Sequence, residues 1–500
     1  MFRGPKAIWL ILLGVAALYA TVSTAFFCGY DDFFDIQRAT FEDARSPVRI
    51  FTTTHFGSTK YRPIQRGLTY LSWHWGRQNP AAFRVRNLCF HLFAVAFVYG
   101  ITWLLSKSRA AAAGAAALFG FHPLANQVID AAVFGNTAAY ALLLGSFFFF
   151  LYSLEEGRAW KWPLLSSLLC ALLALFTYES TIVVFGFTFT YLFLAWWRGR
   201  SFSRAYFMTF LCGSGIVLLS LFVTRRLFVA QPTPLVPVGL MLRNTAMYIG
   251  ALLLPVDPVF AHEVWGTPLP SEITLSGSVL AVLGAAAAAL ALLVLLALRT
   301  AALRTRMKRV DWPVIVLLAT AIPFSLGPFL AFTGHASETY MYLPAALYAI
   351  LLSLVLNGML PSRACATVLS LLVISLAAGT WVRNQLVASC GVTAKSIISQ
   401  LPLERWRTGD WNIRLARPVD EPVHTRYGLY GWEGLSTIDP GEPAIMPPAQ
   451  AALRIFSGND RVKAEVVPGD QLRDCTAPGT CFWVSRRGDV KDAYTSAVGN

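Results

Sequence analysis

Charge is scarce in this sequence. Only 14% of its 500 residues are Asp, Glu, Lys or Arg, against about a quarter in soluble domains, and that shortage argues against an ordinary cytosolic enzyme. The 56% hydrophobic content excludes disorder. The eight cysteines form no Cys-x-x-Cys pair and no Cys/His metal spacing, and Cys89, Cys170, Cys212 and Cys365 stand in apolar stretches where a thiol is a small hydrophobe. No metal framework is therefore expected. The net charge of +14 comes without a basic stripe interleaved with aromatics, so nucleic acid is not an expected partner.

What the chain does have is long apolar runs, each near the ~20 residues that a bilayer requires. They fall at about 7–27, 87–105, 110–122, 137–154, 162–176, 180–197, 205–224, 273–298, 312–332, 341–359 and 364–381, giving eleven expected spans. The first follows a short basic start, and its length and lack of a clean cleavage site read as a span rather than a signal peptide. A shorter run, 241–254, carries Arg243 and Asn244 and reads as a span or as a re-entrant or interfacial segment. The expected fold is thus an α-helical polytopic membrane domain over 1–382, with a first outer loop at 28–86, followed by a smaller domain at 383–500.

Charge sets the sidedness. Lys107/Arg109, Arg158/Lys161, Arg198/Arg200/Arg204, the run from Arg299 to Arg309 and Arg363 are all cytoplasmic only if 241–254 does not cross. The N-terminus is then inside, and residues 383–500 lie outside. Of the 14 carboxylates before residue 383, only Glu155, Glu156 and Asp311 fall in cytoplasmic loops, and the other eleven crowd the outer face. Any chemistry is expected there.

Several polar groups mark that face. Asp31-Asp32 follows the first span and can supply a general base, or simply cap a helix. Arg62, in Tyr61-Arg62-Pro63, can hold a phosphate bidentately. Asn87 and His91 share a helix face at the head of the second span and can line a site or bond two helices together. Phe121-His122-Pro123-Leu124 and Tyr178-Glu179-Ser180 add an imidazole and a carboxylate that is costly so near hydrocarbon. Arg225-Arg226 closes a span on the outer side against the charge rule and suits an anionic lipid. Glu338 and Tyr340 open the run Glu338-Thr339-Tyr340-Met341-Tyr342-Leu343-Pro344, whose tyrosines also read as an interfacial aromatic belt.

In their order and sidedness these pieces resemble the GT-C superfamily of polytopic glycosyltransferases, which use polyprenyl-phosphate sugars as donors. The likeness is strongest to the transmembrane and tetratricopeptide-repeat-containing mannosyltransferases and their bacterial relatives, and it covers roughly residues 1–380. It implies an inverting transfer on the extracytoplasmic face, with Asp31 or Asp32 as base, and Arg62, His122, Arg225 and Arg226 as donor-phosphate ligands. Asn87, His91, Glu179, Glu338 and Tyr340 are the implied substrate contacts. The implied partners are a polyprenyl-phosphate-linked sugar, membrane lipids, and a cell-envelope glycan, lipid or protein acceptor. No cofactor is assigned, and dependence on a divalent metal is left open. Thr339 stands where the relatives usually carry Arg, and 383–500 shows no 34-residue repeat, so protein O-mannosylation is not carried over.

The segment 383–500 mixes 14 basic and 13 acidic residues with turn residues and short alternating stretches, Ala452–Phe456 and Ala464–Val467, and reads as a small mixed α/β or β-rich domain. Cys475 and Cys481 suit a local disulfide outside the cytoplasm. Trp406, Trp411, Tyr427, Tyr430 and Trp432 form its core or stack on sugars. An excess of Arg over Lys and abundant Ala hint at a GC-rich bacterial genome, and the expected location is a bacterial inner membrane. The competing readings are an O-antigen ligase or polymerase, whose long loop normally comes late in the chain, and a lipid-linked sugar transporter or flippase, which would bring internal repeats.

Overall fold

The computed structural model describes residues 6–27, 32–54, 60–125, 129, 135–155, 159–228, 235–253, 310–332, 338–417, 448–468, 472, 477–485 and 489–493. The membrane part is helical. It runs through α1 (Lys6–Ser23), α2 (Asp32–Arg38), α3 (Arg49–Thr52), α4 (Pro63–Gly76), α5 (Pro80–Ser106), α6 (Arg109–Gly120), α7 (Asn136–Ser153) and α8 (Lys161–Thr177). It continues through α9 (Val183–Trp197), α10 (Arg204–Phe228), α11 (Val238–Leu253), α12 (Trp312–Phe332), α13 (Tyr342–Met359) and α14 (Ser362–Gln400).

Local chemistry punctuates these helices. At the head of α5, Asn79 accepts from the Ala81 N–H at 3.0 Å and Pro80 occupies the first turn, where a missing N–H costs nothing. The helix stops at Lys107, whose φ of 55° turns the chain, and Ser108 starts α6 by accepting from the Ala111 N–H at 3.2 Å. The alanines of α6 let α13 approach closely enough for Ser353 Oγ to donate to the Ala111 carbonyl at 2.7 Å.

Eight helices among the described residues are long and apolar enough to cross a membrane: α1, α5, α7, α9 (with the turn before it), α10, α12, α13 and α14. The eleven expected spans differ from this in three places. α6 has 12 residues, about 18 Å of helix against ~30 Å of hydrocarbon; it is buried among its neighbours, with Ala112, Ala115, Ala116 and Phe119 all enclosed, and returns the chain from the Lys107 end of α5 to the level of His91. α8, at 17 residues, also falls short, and the span expected at 273–298 lies outside the described residues. The run expected at 241–254 is the 16-residue helix α11.

Beyond the ends of the spans lies a second layer. α14 continues for 39 residues, past residue 382, into the C-terminal region. There β1 (Asn412–Arg417), α15 (Pro448–Ser457), β2 (Lys463–Pro468), β3 (Cys481–Val484) and β4 (Val490–Asp492) form a four-stranded sheet in the order β2-β1-β3-β4. β1 runs parallel to β2 and β3, and β4 is antiparallel to β3. The stretch 452–456, expected to alternate as a strand, is helical: Pro448 begins it and Ala449, Ala452, Leu453 and Ile455 bury one side. Ala464–Val467 is part of β2. Trp406 is fully buried and belongs to the core, Trp411 packs against it, and Tyr427, Tyr430 and Trp432 lie outside the described residues. Cys481 is disulfide-bonded, and Cys475, the partner expected from sequence, lies outside the described residues.

This C-terminal unit docks on the acid-bearing first loop. Phe456 stacks on Phe26 with ring centres 5.5 Å apart and meets Phe33 edge-on, and Gln78 donates to the Ile455 carbonyl at 2.9 Å. α14 passes so close to the same loop that a Cβ on Gly391 would stand 2.8 Å from the Phe26 nitrogen. After α2 the chain makes a π-helical turn, Ala39–Asp43, closed by the Ala44 N–H on the Ala39 carbonyl at 3.1 Å. Asp43 ends that turn in a buried ion pair with Arg66 of α4, the Nε to Oδ2 distance being 3.0 Å. Arg66 also donates to the carbonyls of Arg49 (2.9 Å) and Thr53 (3.3 Å).

Removing one partner of so enclosed a pair leaves a buried charge, so Arg66→Ala is expected to lose about 3–5 kcal/mol of stability. The double variant Asp43→Leu/Arg66→Met is expected to recover much of that in thermal unfolding of the purified protein.

Candidate active site

Asp32 and Asp35 stand three residues apart on α2, on one helix face. Both are buried, at 1% and 6% exposure. Arg86, in the second turn of α5, feels the charge of Asp35 and, more weakly, that of Asp32. Its guanidinium is held by the Asn87 side-chain oxygen, at 3.1 Å from Nε and 2.8 Å from Nη2, and Nη1 donates to Ser72 Oγ at 3.2 Å. Asn87 in turn donates to the Ile129 carbonyl at 3.3 Å. The substrate contact Asn87 expected from sequence therefore holds Arg86, and Asp31 lies outside the described residues.

A second cluster forms beside α4. Arg62 holds Glu179 with both prongs, Nε to Oε2 at 2.8 Å and Nη2 to Oε1 at 2.7 Å, and its guanidinium lies over the Tyr178 ring at 4.2 Å. Burial works against the Arg62 charge, and the adjacent carboxylate more than reverses it, so its pKa stands above the ordinary value. Nη1 of Arg62 makes no hydrogen bond among the described residues. The aromatic wall continues from Tyr178 edge-on to Tyr140 (6.1 Å) and stacked on Phe329 (6.0 Å), which stacks on Tyr340 at 4.1 Å. Three buried oxygens, Gln65 Oε1 and Thr69 Oγ1 of α4 and Thr137 Oγ1 of α7, have no hydrogen-bond partner among the described residues.

Similar solved structures exist at low identity. An oligosaccharyltransferase of Archaeoglobus fulgidus, in its apo form, aligns over 93% of this chain and 65% of its own length, at 11% identity and a TM-score of 0.47. ArnT of Cupriavidus metallidurans aligns over 95% of this chain and 93% of its own, at 13% identity and 0.40 in the apo state. With undecaprenyl phosphate bound, ArnT aligns at 14% identity and 0.38. The chain thus spans slightly under two thirds of the oligosaccharyltransferase. No protein-family model matches the sequence, and no curated protein matches it.

The remaining expected residues are dispersed. His91 is fully enclosed between helices, its Nδ1 2.7 Å from Tyr342 OH and its Nε2 3.3 Å from the Gly120 carbonyl, which is the helix-bonding alternative of its sequence reading. His122 is buried, accepts from the Leu124 N–H at 3.2 Å, and lines a cavity of about 40 Å³ with Leu118, Leu252 and Leu376. Arg225 and Arg226 are exposed in the last turn of α10, two residues before Phe228, whose ring stacks on Tyr61 at 4.4 Å. Glu338 opens a 3₁₀ turn, Glu338–Met341, ahead of α13, and its side chain lies outside the described residues.

Asp35, Arg86, Asp43 and Arg66 were visible in sequence only as outer-loop charges. The usable signal was the three-residue spacing of Asp32 and Asp35. Among the described residues no group of three or more His, Cys, Asp or Glu side chains could hold a metal ion.

Arg62→Lys keeps the charge at the second cluster and loses the fork that grips both Glu179 oxygens. It is expected to cost about 1.5–3 kcal/mol, the worth of a hydrogen bond to a charged group, read as a lowered unfolding midpoint that Arg62→Lys/Glu179→Gln does not lower further.

Proposed function

We propose that this chain is an integral-membrane glycosyltransferase of GT-C type that moves a sugar from a polyprenyl-phosphate donor to a cell-envelope glycan, lipid or protein. The observation that carries the reading is the burial of Asp32 and Asp35 on one face of α2, where the spans end and the second layer begins. Buried carboxylates at a membrane edge are expensive and mark functional sites. The disulfide at Cys481 supports an extracytoplasmic setting for the C-terminal domain, and with it for the acids against which that domain packs.

In the proposed reaction the acceptor hydroxyl attacks the anomeric carbon and its proton passes to Asp32, or to Asp31 next to it. The bond from that carbon to the phosphate oxygen breaks, and the lipid phosphate leaves with the electron pair, inverting the centre. Arg62 offers its unused Nη1 to the departing phosphate while Glu179 keeps the guanidinium in place, and Arg225 and Arg226 draw the anionic donor toward the same end of the spans. Gln65, Thr69 and Thr137 offer buried oxygens to sugar hydroxyls. Asn87 acts through Arg86, Tyr340 extends the aromatic wall, and Glu338, in the turn before α13, is assigned to substrate binding.

Asp32→Asn is expected to lower transfer by about 10²-fold or more while leaving the protein inserted. The measurement is envelope glycan and lipid composition by mass spectrometry, in a deletion strain complemented with wild type or variant. Restoration of the missing sugar to wild-type level by both Asp32→Asn and Asp31→Asn/Asp32→Asn would overturn the mechanism. A reporter fused after Asn500 is expected to read as extracytoplasmic, and a cytoplasmic signal would invert the assigned sidedness.

A further inference from the structure

A groove lies between α1 and α5, away from both clusters of charge. It encloses about 710 Å³, within the ~300–1,000 Å³ of ligand pockets. Its walls are apolar, among them Leu12, Leu92, Phe93 and Phe97, and it is framed at one end by Trp9 and Trp103. Trp9 and Phe93 are 59% and 60% exposed, so the groove opens sideways to the surroundings of the spans. Its one charged lining residue is Arg109, at the start of α6.

The position of that cation is informative. Arg86, which faces the acids, lies near the first turn of α5, and Arg109 follows the last turn, so the two are separated by about 30 Å of helix, the thickness of a hydrocarbon core. Lys6, exposed at the start of α1 one turn before Trp9, stands at the Arg109 end. The neighbouring Lys107 is already engaged by Glu155 at 2.6 Å, whereas Arg109 pairs with no carboxylate among the described residues. Tryptophans level with lysine and arginine mark a membrane-water interface.

An occupant must therefore be long and apolar, lie along α5 and present a negative group at the end opposite the acids. We infer that this groove binds an anionic phospholipid of the leaflet on the Arg109 side, its acyl chains lying against Leu12, Leu92 and Phe93 and its phosphate on Arg109. A donor carrier engaged in the reaction proposed above would have its phosphate at the other end of α5. A second copy of this chain would have to bring an acid to Arg109.

The test is native mass spectrometry of the purified full-length protein after exchange into detergent containing dioleoyl phosphatidylglycerol, dioleoyl phosphatidylcholine or undecaprenyl phosphate. Wild type is expected to retain phosphatidylglycerol about fivefold better than phosphatidylcholine, the effect of one interfacial cation. Arg109→Gln should abolish that preference and leave phosphatidylcholine retention unchanged. Ala96→Trp, which fills the groove, should remove both. Arg109 is exposed, so its variant keeps the test intact even if Ala96→Trp fails to fold.

Equal retention of the two phospholipids by wild type would overturn the site, as would a preference indifferent to Arg109→Gln. Displacement of phosphatidylglycerol by undecaprenyl phosphate, lost in the same variants, would assign the groove to the carrier. A dimer mass abolished by Ala96→Trp would assign it to a second copy.

Discussion

The ordered first loop depends on the ion pair between Arg66 and Asp43. In the chain between α1 and α5 the short helices α2 and α3 are far below the length at which isolated helices persist. Arg66 answers this by reaching from α4 to a carboxylate and to two backbone carbonyls that bracket α3. A guanidinium with several fixed acceptors ties these segments together, beside the buried apolar cluster that includes Phe33, Ile36, Trp73 and Phe83. With Asp43 fixed, the π-helical turn before it orients α2, and α2 presents Asp32 and Asp35 toward Arg86. The C-terminal domain then closes over the far side of α2 through Phe456.

Charge is arranged differently at the two ends of the spans. At the end bearing Lys107 and Arg198, the acids Glu155 and Asp311 pair with those cations at the surface, where such pairs are weak and serve chiefly solubility and orientation. At the acid-rich end, Asp32, Asp35, Asp43, Arg62, Arg66 and Arg84 are each less than a tenth exposed. Burying six ionisable side chains within one loop and its neighbours costs heavily in desolvation. Structural stability alone is better served by apolar residues of similar size.

Much of the helical framework was legible because hydropathy and charge are read locally. The cost of a carboxylate at Glu179 was legible too, but its partner Arg62 is 117 residues away, and no pattern along the chain encodes which cation a folded loop will bring to it. The same limit hid the pairing of Asp43 with Arg66. The burial of α6 was hidden because an alanine-rich apolar run reads alike whether it faces lipid or neighbouring helices. The stretch 452–456 misled because five residues are too few to separate a period of two from one of 3.6. His91 carried both readings in sequence, and its enclosure by Tyr342 and Gly120 gives it a packing role.

The unbroken course of α14 couples height to rotation. Thirty-nine residues of continuous helix make a rod of about 58 Å at 1.5 Å per residue, turning about 100° with each. Its lower part is fixed among the spans and its upper part carries the sheet domain, so the phase of the helix sets which side of that domain faces α2. One residue inserted between its two parts would raise the domain by only about 1.5 Å yet swing it more than a quarter turn. Phe456 would then leave Phe26, and Gln78 would lose the Ile455 carbonyl. The length of this helix therefore acts as a phase setting, which tolerates whole turns added or removed far better than single residues.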